Sequence, residues 1–305
     1  MQPLPRYVLG FFFTWYNVEH RWLNAAGKPI VTTIPAIGRY NSRDSSVIAW
    51  QVSQAKHAGL NGFIASWAGR IDPQDSVIPT VLREANRQGF RLAVMLEHAP
   101  DTLAIAERLD DLMKRFASQP AYLRLPDGRA VVFAYIKLVT AAPIAWWRRY
   151  VAKHPDMFIA AFADAQTGDD GSTFPAYWYY SYVHDPWAYR DTSRVRATLP
   201  GHLKQMARRG LLGERALACT VEPGFDNRNL HDNFPVAVAT PFAARTGGAY
   251  YTARWRALDQ APCVWVLIAS WNEYFEGTNI EPDSIYGDFY VRLTRKLGDA
   301  WRAQR

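Results

Sequence analysis

The chain has 305 residues, 49% apolar and 14% aromatic, with a formal charge of +7 and two cysteines. That length suits one large domain, and a (β/α)8 barrel typically needs about 250 residues. No apolar run reaches the roughly 20 residues of a membrane span. Arginines come singly or in pairs such as Arg148-Arg149 and Arg208-Arg209, which describes a solvated basic surface rather than a nucleic-acid groove.

In chain order, strongly apolar segments alternate with amphipathic ones. Residues 7–15 read as the first strand, and residues 45–58 as a helix with Val47, Trp50, Val52 and Ala55 on one side. The Leu9 to Tyr16 run is short and lacks a cleavage site, so it reads as a strand rather than a signal peptide. The chain as it stands is then expected in the cytoplasm, or in the periplasm or outside the cell if a leader preceded it. Gly62–Trp67 forms a second strand and residues 76–88 a helix; residues 91–97 form a third strand, ending in Glu97-His98, before a helix over 102–117. Strands follow at 130–136, 157–163, 177–182 and 216–221, with helices at 143–153, 194–209 and 249–260. The eighth strand opens at Val264, and a helix over 286–301 closes the chain. Eight strand-helix alternations without a linker or repeat predict a single-domain (β/α)8 TIM barrel spanning residues 1–305.

Two long connections, residues 16–44 and 223–248, are expected on the face where the eighth strand ends, because long loops in a compact domain are usually functional. Cys219 and Cys263 fall in strands without metal-type spacing, so buried free thiols are expected. Neither a metal nor any other cofactor is expected, and the oligomeric state is left open.

Chemistry concentrates after the eighth strand. The apolar run from Val264 has no alternation, as in a parallel strand buried on both faces. It leads into Ser270-Trp271-Asn272-Glu273-Tyr274-Phe275-Glu276-Gly277-Thr278-Asn279-Ile280-Glu281. Barrel chemistry is placed at the carboxyl ends of strands. Residues three apart on a helical turn have Cβ atoms roughly 5–6 Å apart on one side, so Glu273 and Glu276 could work on one glycosidic bond. Further candidates for sugar contact lie at other strand ends. Asp44 either contacts hydroxyls or caps the following helix, and Trp67 either stacks on a sugar or packs in the core. Glu97, His98, Tyr135, Tyr180 and Tyr182 could line the same site. Asp226 and Arg228 sit in the loop after the seventh strand, where Arg228 either forks onto hydroxyls or forms a structural ion pair. Trp271, Asn272 and Glu281 complete the set.

The 270–281 stretch resembles the S-[WF]-N-E-W-x-E-G-[TS]-x-I-E signature of glycoside hydrolase family 99, the endo-acting α-mannosidases and related proteins of bacterial polysaccharide gene clusters. Gly38-Arg39-Tyr40-Asn41-Ser42-Arg43-Asp44 is similar to that family's G-x-Y-x-S-R-D segment. Gly59 to Trp67 and Pro223-Gly224-Phe225-Asp226-Asn227-Arg228 extend the resemblance through most of the chain. The chain departs from the family pattern at residues 18–23, where an H-W-x-H-type segment is frequent, at Asn41, and at Tyr274. The resemblance implies a (β/α)8 barrel and retaining, metal-free hydrolysis of an internal α-linkage. It also implies that Glu273 takes a proton from the sugar 2-hydroxyl and that Glu276 serves as general acid and then base. Two alternatives stand beside this reading: a related hydrolase of different sugar specificity, and a catalytically silent glycan-binding protein of a polysaccharide assembly system.

Overall fold

The computed structural model describes residues 4–18, 21–24, 26–163, 168–169, 171–179, 191–210, 216–231 and 242–304. Eight parallel strands close into a barrel: β1 (Val8–Phe12), β2 (Gly62–Trp67), β3 (Arg91–Leu96), β4 (Ala130–Ala134), β5 (Met157–Phe162), β6 (Ala176–Trp178), β7 (Ala216–Val221) and β8 (Cys263–Ile268). Each pairs with its sequence neighbours, and β1 closes the ring on β8 with Leu9 opposite Leu267. Among the described residues, seven helices of nine residues or more flank the strands: α1 (Ser45–His57), α2 (Ile78–Arg87), α3 (Thr102–Leu112), α4 (Ile144–Lys153), α5 (Thr192–Gly210), α6 (Ala249–Ala257) and α7 (Phe289–Ala303). The alternation has one gap: between β5 and β6 no helix occurs among the described residues.

Local chemistry explains these elements. β1, β2, β4 and β5 are buried along their whole length, because one face fills the barrel and the other meets the helices. The inner layer includes Phe11, Phe133, Trp178 and Trp265, with the Phe11 ring 5.1 Å from Trp178 and the Phe133 ring 6.1 Å from Trp265. The barrel is thus a packed core rather than a pore. α1 starts where the Asp44 carboxylate accepts the Ser46 N–H at 2.8 Å, and α3 where Asp101 accepts from Ala104 at 2.9 Å. The buried stripe of α1 is Ile48, Gln51, Val52 and Ala55; Val47 and Trp50 are only half-buried.

The expectation of free thiols is overturned. Cys219 in β7 and Cys263 in β8 form a disulfide, with Cα atoms 5.7 Å apart, inside the usual range of about 4.4–6.8 Å. They are 44 residues apart in sequence, and only the pairing of β7 with β8 makes them neighbours.

Candidate active site

β8 delivers the chain to the C-terminal rim of the barrel, where it bends sharply. A cis peptide bond joins Ala269 to Ser270. The acidic segment is a tight turn rather than a stretch of helix: Gly277 N–H meets Tyr274 O at 3.3 Å, and Thr278 N–H meets Glu273 O at 3.2 Å. Gly277 sits at φ 57°, and a β-carbon there would lie 3.0 Å from the Asp226 carbonyl oxygen, so glycine is what the turn admits.

The turn is clamped from three sides. Underneath, the Asn272 amide donates to Phe13 O and accepts from Phe13 N–H, both at 2.8 Å, tying the turn to the end of β1. The Tyr16 hydroxyl donates to Asn272 O and accepts from Tyr274 N–H, each at 2.9 Å. Tyr16, Trp22, Tyr40 and Tyr274 pack edge-on and stacked around that point. Behind, buried Arg245 donates to Gly277 O at 3.0 Å and Asn279 O at 2.7 Å. At the flank, Asp226 N–H donates to Glu276 O at 2.7 Å. Glu281 is fully buried and accepts from Tyr40 OH at 3.0 Å, Tyr274 OH at 2.7 Å and Gln51 Nε2 at 2.7 Å. It thereby joins α1, the connection after β1 and the acidic turn.

Both acids face one cavity of about 510 Å³, lined also by Phe13, Trp15, Ser66, Met95, Glu97, His98, Tyr135 and Lys137. Glu273 is buried, while Glu276 is half-buried. Burial first, and then the neighbouring negative charge of Glu276, hold the Glu273 carboxyl well above the usual range, with a smaller push from Glu97. Glu97 accepts from Ser66 Oγ at 2.9 Å, and burial raises it to about 7. The Tyr135 hydroxyl is raised to about 12 by burial, with Glu97 and Glu276 adding to it. His98 is lowered by burial and by Arg108. An anionic cavity with carboxyls of unequal burial suits proton transfer, since one can hold a proton while the other is ionised.

No family model matches the chain. A mouse protein named glycoprotein endo-α-1,2-mannosidase-like is 24% identical over 314 aligned residues, covering 87% of this chain and 64% of that protein. Mouse glycoprotein endo-α-1,2-mannosidase is 22% identical, with 89% and 64% covered. The chain therefore spans about two thirds of the length of these relatives. In structure, a family 99 endo-α-mannosidase from Bacteroides thetaiotaomicron superposes with a TM-score of 0.79 over 97% of both chains, at 18% identity. The chain resembles glycoside hydrolase family 99. At 18% identity the structural likeness is one of fold, and the sequence likeness runs through most of the barrel.

Residues drawn from the family 99 resemblance and from strand ends divide in the structure. Glu273, Glu276, Glu97, His98 and Tyr135 converge on the cavity. Trp67 does not: it is fully buried, its indole N–H donating to Asp75 at 2.9 Å and its ring edge-on to Phe116, on the helix side of β2. Its neighbour Ser66 lines the cavity instead. Asp44 is exposed and caps α1. Trp271 and Asn272 are buried beneath the turn and Glu281 behind it, so these three hold the site rather than line it. Asp226 and Arg228 pair with each other at 2.8 Å and border a separate cavity of about 460 Å³. Tyr180 and Tyr182 lie outside the described residues. Sequence reasoning missed Trp15, Asp72, Gln74 and Lys137 as cavity residues; Trp15, an aromatic at the end of the first apolar run, carried the same signal as Trp67.

Proposed function

We propose that the chain is a retaining, endo-acting glycoside hydrolase that cleaves an internal α-linkage of a polysaccharide or glycan, with α-mannosides the first class to try. The observation that carries this reading is the placement of Glu273 and Glu276 on one cavity at the C-terminal rim of the barrel. The names borne by the mouse relatives and by the Bacteroides structure support it.

In the proposed cycle, ionised Glu273 takes the proton of the sugar 2-hydroxyl, and that oxygen attacks the anomeric carbon. Glu276 gives its proton to the glycosidic oxygen as the bond breaks, leaving a 1,2-anhydro sugar. Glu276 then takes a proton from water, the water oxygen opens the anhydro ring at the anomeric carbon, and Glu273 returns its proton to the 2-oxygen. Two inversions at one carbon give retention. Burial and the mutual charge of the two acids favour a single proton shared by the pair, so one donates while the other accepts. Glu273, held high, becomes a strong base once ionised.

Glu273→Gln and Glu276→Gln are each expected to lower kcat by roughly 10²–10⁴-fold on an α-mannan, with oligosaccharide affinity largely kept. Product sizing and calorimetry on the same protein measure both. Binding without turnover by the unmutated chain on any α-glycan would favour the silent glycan-binding reading.

A further inference from the structure

We infer that a second cavity, beside the acidic one, accepts the carboxylate of a hexuronic acid, so that the glycan acted on is an acidic one. This rests on the hydrolase reading of the neighbouring cavity. The second cavity has a volume of about 370 Å³ and is lined by Arg21, Arg43, Asn41, Trp15, Asp72 and Gln74, among others. That volume falls within the roughly 300–1,000 Å³ of small-ligand sites. Trp15, Asp72 and Gln74 line both cavities, so the two are adjacent and one saccharide chain can reach from one into the other. Trp15 forms the shared wall. It is half-buried and stacked on Phe13, with ring centroids 4.5 Å apart, which holds the indole in place for a sugar passing from one side to the other.

The two halves differ in charge. Glu97, Glu273, Glu276 and Asp72 line the first cavity against one lysine, Lys137, so acids outnumber cations where a further carboxylate would enter. Arg21 and Arg43 line the second, and among the described residues neither makes an ion pair; the Arg43 guanidinium reaches only Pro73 O, at 3.4 Å. The one carboxylate in that lining, Asp72, is already engaged. It accepts the backbone N–H groups of Ala68 at 3.0 Å and Gln74 at 2.9 Å, and the Gln74 side-chain amide at 3.2 Å. Arg21 also stands at φ 75°, a left-handed conformation that disfavours a residue with a β-carbon and that recurs at binding sites. Two exposed guanidinium forks beside a sugar-sized space match a planar carboxylate in geometry and charge.

The test uses the full chain, 15N-labelled, with the Nε–Hε resonances of the two arginines assigned from Arg21→Met and Arg43→Met. Three probes are titrated: methyl α-D-glucuronoside, its uronate methyl ester and methyl α-D-glucoside. Both resonances are expected to shift saturably with the uronate, with the ester and the glucoside at least about ten-fold weaker, and the uronate affinity to fall with added salt. Resonances unmoved by the uronate, or moved equally by ester and uronate, overturn the proposal. Hydrolysis of α-glycans, both neutral α-mannan and uronate-bearing polymers, by the same preparation reports separately on the first cavity. Cleavage without a uronate response sinks the acidic subsite alone, and a uronate response without cleavage of any α-glycan sinks the hydrolase alone.

Discussion

Glu97 and Glu273 occupy one cavity at different depths, and the charge of Glu97 is felt at Glu273. In the proposed cycle Glu273 loses its proton before acting as base, so the acid limb of the kcat/KM profile is expected above the ordinary glutamate range of about 4.3. Glu97 adds negative charge that opposes this ionisation. Glu97→Gln removes that charge, makes Glu273 easier to ionise, and should move the acid limb to lower pH. Where the limb lies near or above pH 7, so that Glu97 is ionised across it, a limb that stays in place or rises would show that Glu273 is not the group that limits it. At this same scale the sequence misled at Trp67. A strand buried on both faces has no polar alternation to reveal which residues point inward. Ser66 and Trp67 differ by one position and so face opposite sides of β2. The larger side chain drew the assignment; parity, set by Ile64 filling the barrel interior, gave the site to Ser66.

Under the proposed function, the element on which activity would depend is the turn after β8. Its shape comes from Gly277 at φ 57°, from Arg245 on two of its carbonyls and from the Asn272 amide on Phe13. Gly277→Ala is expected to cost roughly 1–2 kcal/mol in stability through the left-handed backbone alone. Crowding of the added methyl against the Asp226 carbonyl should also move Glu276. A displacement near 1 Å can cost about 10²-fold in rate, so kcat/KM should fall by at least roughly ten-fold while the protein stays folded. Thermal melting and steady-state kinetics on one preparation separate the two effects, and a loss of stability with unchanged kinetics would contradict the role given to the turn. The i, i+3 spacing of the acids predicts that they share one side through a helical turn; the segment is a tight turn instead, and that turn is what brings both to one cavity. Their support could not be read from the spacing, because Tyr16, Tyr40, Gln51 and Arg245 lie far from the turn in sequence.

At the scale of the molecule, the closed barrel brings together β1 and β8, which stand at opposite ends of the chain, and so sets the Trp15 wall against the acidic turn. The Cys219–Cys263 disulfide cross-links the strand that carries the acids to its neighbour. Replacing both cysteines with serine is expected to lower unfolding stability by about 2–4 kcal/mol, read from the denaturant midpoint with the slope unchanged. Alkylation of the unfolded chain before reduction should add no mass at either cysteine; two labelled thiols would show that the bond does not form.

The sequence alone determined the alternation of strands and helices, the barrel they build and the two acids that end its last strand. Each of these follows from local pattern: runs of apolar residues, capping side chains, and carboxylates at fixed spacing. Only the tertiary structure decided which strand residues face the cavity, which cysteines meet, and which of the motif residues hold the acids instead of touching a ligand. Those depend on strand parity and on contacts between residues distant in sequence, which exist only once the barrel has closed.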